Sequence, residues 1–118
     1  MIILTNFAQA KKYPGQKYSI ALFSPRSIAG SGYREFPLFF PTKDILMSIR
    51  AGEITREEYT VKFKALLLER EAKIMKLVPF LSGDPVMCCY CDIVVKGFCH
   101  RMLVSDFLVE RGVEVHLC

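Results

Sequence analysis

The stretch that decides the fold is PVMCCYCDIVVKGFCHRMLVSDFLVERGVEVHLC, residues 85–118. It predicts a strand over 86–91, a helix over 99–111 that Gly112 ends, and a last strand over 113–117. The first of these strands is apolar on both faces, which is typical of a strand buried in a parallel sheet. A helix between two strands is the usual crossover connection of such a sheet.

The preceding residues repeat this alternation. Apolar runs predict strands over 2–5 and 18–23, and Asn6 caps a short predicted helix over 7–12. Helical spacing predicts helices over 42–51 and from Thr55 to Pro79. The second helix opens with the capping box Thr55-Arg56-Glu57-Glu58, and its apolar face ends at Leu77. The segment 24–41 is irregular and rich in aromatic residues, so we expect it to fold onto the core as a lid. We therefore predict one α/β domain over 1–118, a sandwich whose mainly parallel sheet of about four strands is flanked by helices.

Composition limits the class of protein. The chain has 118 residues, 52% of them hydrophobic and 24% charged, which is typical of one globular domain. Its net charge of +4 is spread along the chain, unlike the dense basic stripes of nucleic-acid-binding proteins. The five cysteines are an odd number, and the N-terminus lacks the basic start of a signal peptide. We therefore expect a cytoplasmic protein with reduced thiols and no membrane segment.

The predicted topology also indicates a site. Ligands of open parallel sheets bind beyond the carboxyl ends of the strands. The segments that leave the strands there carry five candidate ligand-binding residues: Asn6, Ser24, Arg26, Cys91 and Arg101. Since two of these are arginines and a helix N-terminus favours negative charge, we predict a small anionic ligand, a nucleotide or a nucleic-acid-derived phosphate.

Cys99 and His100 are the candidate catalytic residues. Each lies four positions before an apolar residue of the helix, so both lean toward its buried side, whereas Arg101 leans toward solvent or the rim of the cleft. Cys99 is either a reactive thiol at a helix N-terminus or a small buried hydrophobe. His100 is either a general base or phosphate donor, or a histidine of the core.

Other chemistries remain open at the same residues. Cys89, Cys91, Cys99 and His100 resemble a zinc set, but Cys-x-Cys is an unusual spacing and the adjacent Cys99 and His100 would strain to reach one ion. We therefore expect no metal and no cofactor. A Cys89–Cys99 redox pair is a further alternative, as is a non-enzymatic interaction module that uses the 24–41 segment as its partner surface. The sequence does not predict an oligomeric state.

Three segments carry a resemblance to a known family. The chain resembles the domain of unknown function 488 (YeaO-like) family in three places. These are the apolar strand over 85–91, with a cysteine near its end, the Cys99-His100-Arg101 segment that opens a helix, and the final strand after Gly112. The segments 1–12, 20–26 and 41–59 are also similar to its small members, although many members carry a polar residue in place of Cys91. The resemblance implies an α/β fold and a site around Arg26, Cys99, His100 and Arg101, with no established activity.

Overall fold

The computed structural model describes residues 1–23, 32–81, 83–90 and 99–118. In these ranges, five strands form one fully parallel sheet, in the order β3-β2-β4-β1-β5. The strands are β1 (Ile2–Asn6), β2 (Lys17–Ser19), β3 (Arg34–Glu35), β4 (Val86–Cys89) and β5 (Val115–Leu117). The α/β prediction is confirmed; β3, with two residues, is too short for its pattern to predict it.

Three α-helices lie in the described ranges: α1 (Lys43–Arg50), α2 (Arg56–Leu77) and α3 (His100–Glu110). They pack on one face of the sheet, where they share a core cluster with alternate residues of the central strands, such as Leu4, Met87 and Cys89. The intervening residues Ile3 and Cys88 belong to a second cluster on the other face. Because strand side chains alternate between faces, adjacent Cys88 and Cys89 point in opposite directions.

The helix ends follow the predicted signals. The Thr42 hydroxyl caps α1, and the Thr55 hydroxyl accepts from the Glu58 amide at 3.1 Å while the Glu58 carboxylate accepts from the Thr55 amide. At the end of α3, Gly112 has a φ of 78°, and the Val113 amide donates to the Leu108 carbonyl. Residues with a side chain rarely adopt this left-handed conformation, which explains a glycine at this helix end.

Three predicted strands are shorter than expected. β2 ends at Ser19 because the Ile20 carbonyl bonds to the His100 ring instead of to a neighbouring strand. β5 begins at Val115, since the Val113 amide is used by the end of α3. β4 ends at Cys89, and Tyr90 after it is exposed. The predicted strand position 91 lies outside the described residues.

Two other predictions need correction. The segment 7–12 is a turn followed by a 3-10 helix over Ala10–Lys12 whose N-cap is Gln9 and not Asn6; the Asn6 side chain closes the turn by accepting from the Gln9 amide at 2.9 Å. Leu77 is exposed, because Ile74 and Val78, four positions apart, occupy the side of the helix end that faces the core.

The described part of the aromatic segment forms β3 and a 3-10 helix over Pro37–Phe39, and it buries Phe36 and Phe39 in the core. Positions 24–31 lie outside the described residues. None of the helices in the described ranges combines the length and hydropathy that a membrane-spanning helix needs.

The capping box of α2 is directly testable. Thr55→Ala removes the hydroxyl that accepts from the Glu58 amide, so we expect the free energy of unfolding to fall by about 1 kcal/mol. Thr60→Ala, inside the same helix, is the matched control and should be neutral or stabilising, because alanine is the better helix former. Urea unfolding of both variants measures the difference; equal losses would contradict the role of the cap.

Candidate functional site

A cavity of about 240 Å³ lies where the carboxyl ends of β2 and β4 meet the start of α3. Its wall comes from the residues after these two strands, from α1 and α2, and from the first residues of α3: Ala21, Leu22, Phe23, Pro41, Leu46, Ile49, Arg50, Tyr59, Tyr90, Cys99 and His100. Most of these side chains are apolar. The cavity therefore suits a small, largely apolar group with its polar contacts at Arg50, Cys99 and His100.

Two sulfur atoms lie together at this wall, one of them from the lining residue Cys99. Cys89, the last residue of β4, and Cys99, the residue before α3, have their Sγ atoms 2.9 Å apart, and both are buried. This separation is shorter than ordinary van der Waals contact and longer than an S–S bond of about 2.05 Å. The contact follows from the fold, because β4 ends where α3 begins.

The Arg101 guanidinium lies beside the sulfurs. Its Nη1 donates to Cys89 Sγ at 2.9 Å, and its Nε and Nη2 donate to the Cys118 main-chain oxygen at 3.3 and 3.1 Å. Burial lowers the pKa of Arg101, but the Cys89 and Cys99 sulfurs outweigh this and raise it above its usual value. A cation bonded to a sulfur favours the thiolate over the thiol.

His100 connects the sulfurs to β2. Its Nε2 lies 2.9 Å from the Ile20 carbonyl oxygen, and its Nδ1 lies 3.8 Å from Cys99 Sγ. A carbonyl oxygen only accepts, so the ring hydrogen sits on Nε2 and the Nδ1 lone pair faces the sulfur. Burial lowers the pKa of His100 to about 4, an effect that the Ile20 bond opposes and Arg101 reinforces. The imidazole is therefore neutral at pH 7.

Cys88 shows what an ordinary buried cysteine looks like in this fold. It lies on the opposite face of β4, in the second core cluster. Burial raises the pKa of its thiol to about 11, with smaller opposing effects from Tyr33 and from the cations Lys17 and Arg101. Cys88 is therefore a thiol at neutral pH and an internal control for its neighbour.

The structure brings together only some of the predicted site residues. Cys99 and His100 lie on the buried side of α3 as predicted, and both line the cavity. The prediction that Arg101 leans toward solvent or the rim of the cleft is wrong. Arg101 is 2% exposed, and its guanidinium bonds to Cys89 and Cys118. Asn6 is not among the residues that line the cavity, and its side chain caps the next turn.

The remaining predicted ligand-binding residues, Ser24, Arg26 and Cys91, lie outside the described residues. Sequence reasoning did not predict the part of the wall that α1 supplies, namely Leu46, Ile49 and Arg50. Their helical spacing indicates a packed face but not what lies against it.

Comparison of the chain with protein-family models, with curated proteins and with solved structures finds no match.

The neutral state of His100 predicts a pH dependence of stability. The histidine pKa is about 6.5 in an unfolded chain and about 4 in the folded protein. The unfolded state therefore binds more protons, and about 3 kcal/mol of stability, present above pH 6.5, is lost as the pH falls toward 4. Nitrogen NMR of the imidazole should show the hydrogen on Nε2 and a midpoint near pH 4. A midpoint near 6.5, or a hydrogen on Nδ1, would contradict this assignment.

Proposed function

We propose that the protein is a thiol–disulfide redox protein whose active pair is Cys89 and Cys99. The observation that carries the proposal is the contact of their sulfurs at 2.9 Å, beside a guanidinium that is 2.9 Å from Cys89 Sγ. Disulfide formation requires the sulfurs to approach by less than about 1 Å. Two cysteines that served only to pack the core would not require a buried cation beside them.

The two cysteines have different access. Cys99 lines the cavity, whereas Cys89 is not among the residues that line it, and the Arg101 guanidinium acts on both sulfurs. A reagent from solvent therefore meets Cys99 first, and Cys89 is placed to attack second. This is the division between an entering and a resolving cysteine that thiol–disulfide exchange requires.

The reaction balances with a low-molecular-weight disulfide, R–S–S–R, as oxidant. The Cys99 thiolate attacks one sulfur, the S–S bond of the reagent breaks, and RS⁻ leaves. The Cys89 thiolate then attacks Cys99 Sγ, which forms the Cys89–Cys99 disulfide and releases the second RS⁻. The protein loses two electrons and two protons, and the reagent becomes two thiols; the reverse sequence reduces the protein.

The cavity restricts the reagent. Its 240 Å³ is slightly below the range of about 300–1,000 Å³ for drug-sized ligands, and most of its wall is apolar. A small disulfide with short apolar substituents fits this description better than a protein substrate. The proposal includes a reducing compartment, the cytoplasm, where such a pair is held as thiols.

Membership in the domain of unknown function 488 (YeaO-like) family is also a proposal. It is supported by the positions of Cys89 at the end of an apolar strand and of Cys99-His100-Arg101 at the start of a helix. These are the segments on which the resemblance rests.

The test is to oxidise the folded, chelator-treated protein with hydroxyethyl disulfide and to map the products by mass spectrometry. Trypsin separates Cys99, in the peptide 97–101, from Cys88, Cys89 and Cys91, in the peptide 77–96. We expect these two peptides to become linked in wild type and in Cys88→Ser, and to stay separate in Cys89→Ser. A link that persists in Cys89→Ser, or wild-type protein that forms none, would refute the proposal.

The positive charge of Arg101 should increase the rate of disulfide formation. Arg101→Gln keeps a hydrogen-bond donor but removes the charge beside Cys89, so we expect disulfide formation at pH 7 to slow by roughly tenfold as the thiolate fraction falls. Arg111→Gln is the control, because it removes an ion pair with Glu71 at the other end of α3. Circular dichroism checks that both variants fold. Equal rates in the two variants would show that the guanidinium does not activate the sulfurs.

A small anion is the second candidate ligand, and Arg50 favours it because it lines the cavity together with Cys99 and His100. Arg50 takes the place of the two arginines predicted to bind the anion, because Arg101 contacts the sulfurs and Arg26 lies outside the described residues. Inorganic phosphate or a nucleoside monophosphate should then raise the melting temperature. Arg50→Gln should abolish the rise and exposed Lys62→Gln should not; a rise of equal size in both variants would eliminate this candidate.

A further inference from the structure

We infer that the reduced protein binds one Zn²⁺ ion through Cys89 Sγ, Cys99 Sγ and His100 Nδ1. These three ligand atoms all lie within 4.8 Å of one another, and all three residues are buried. Two thiolates and one neutral imidazole are a donor set that zinc prefers over the harder ions Mg²⁺ and Ca²⁺. The inference uses the sulfurs of the proposed redox pair, but it stands on His100 and does not require that the pair be redox-active.

One of the three ligand distances already matches that of a tetrahedral ion. Zn–S bonds of about 2.3 Å and Zn–N bonds of about 2.0–2.1 Å place a sulfur and a nitrogen about 3.6 Å apart and two sulfurs about 3.8 Å apart. Cys99 Sγ and His100 Nδ1 are 3.8 Å apart, so these adjacent residues reach one ion without the expected strain. The two sulfurs, now at 2.9 Å, need to separate by about 0.9 Å, which a small side-chain rotation provides.

The second nitrogen of His100 strengthens the assignment. Histidine ligands of metal ions almost always donate their other ring N–H to a carbonyl or carboxylate, which fixes the ring and the tautomer. His100 Nε2 makes this bond to the Ile20 carbonyl at 2.9 Å, and the Phe63 ring packs edge-on against the imidazole at 5.5 Å. Nδ1 is thereby held toward Cys99 before any ion binds.

The cavity indicates the type of site. Three protein ligands with an open fourth position are typical of catalytic zinc, whereas structural zinc is closed by four. Among the residues that the structure describes, three supply ligand atoms. Cys99 and His100 both line the cavity, so water or a small ligand can occupy the fourth position from that side. Arg101 stays a hydrogen-bond donor to the Cys89 sulfur. Binding displaces the remaining thiol proton to solvent, and the ion then competes with oxidation for the same sulfurs.

The test is cobalt substitution of the untagged, reduced, metal-free protein. Co²⁺ in a tetrahedral site with sulfur ligands shows intense visible bands together with sulfur-to-cobalt charge transfer. We expect saturation at one equivalent and displacement of Co²⁺ by Zn²⁺. Wild-type protein that takes up no Co²⁺, or that shows only the weak bands of an octahedral ion, would overturn the inference.

Matched variants test each ligand. His100→Gln should weaken Zn²⁺ binding at least about tenfold in competition with a chromophoric chelator, and His116→Gln, at the exposed histidine, should not. Cys89→Ser and Cys99→Ser should lose charge-transfer intensity, whereas Cys88→Ser should retain it. Undiminished binding in His100→Gln, or loss of binding in Cys88→Ser, would refute this ligand set.

X-ray absorption of zinc-loaded wild-type protein covers the case in which a variant fails to fold. It should find two sulfurs at about 2.3 Å and nitrogen or oxygen at about 2.0–2.1 Å; a site with no sulfur would overturn the inference. The outcome is separable from that of the redox test. Zinc binding without disulfide formation in chelator-treated protein would refute only the redox function, and disulfide formation without zinc binding would refute only the metal site.

Discussion

A buried guanidinium is the constraint on which the site depends. Arg101 is 2% exposed, and it bonds the Cys89 sulfur at the end of β4 and the Cys118 main-chain oxygen just after β5. Removing a charge from water costs several kcal/mol unless it is bonded in place. The residues around Arg101 therefore have to supply hydrogen-bond acceptors, and the sulfur of Cys89 is one of them. This interaction ties the start of α3 to the two strands that flank β1.

The parallel sheet explains why the sulfurs, the imidazole and the cavity meet at one edge. β2 and β4 are hydrogen-bonded neighbours that run in the same direction, so the residues after both strands reach the same edge, where α3 begins. Cys99 and His100 line the cavity there, the Arg101 guanidinium acts on both sulfurs, and His100 is oriented by the carbonyl of Ile20, the residue after β2.

The ends of the helices are predictable from sequence, whereas contacts between distant segments are not. The Thr55 capping box and the end of α3 at Gly112 depend on neighbouring residues, and the structure confirms both. The spacing predicts Arg101 on the exposed side, because it lies four residues before the polar Ser105. Ser105 is itself only 7% exposed, because α3 buries a broader face than its apolar residues mark. The cavity wall from α1 depends on packing between distant segments, for which a helical repeat carries no signal.

The number of thiolates at neutral pH tests the central claim most directly. Thiolates absorb in the ultraviolet where thiols do not, so acidification of metal-free, reduced protein counts them. If Arg101 stabilises negative charge on these sulfurs, wild-type protein holds one thiolate in the pair at pH 7, Cys88→Ala keeps it, and the double variant Cys89→Ala/Cys99→Ala loses it. Equal absorbance changes in wild-type protein and the double variant would show that Arg101 stabilises no negative charge there.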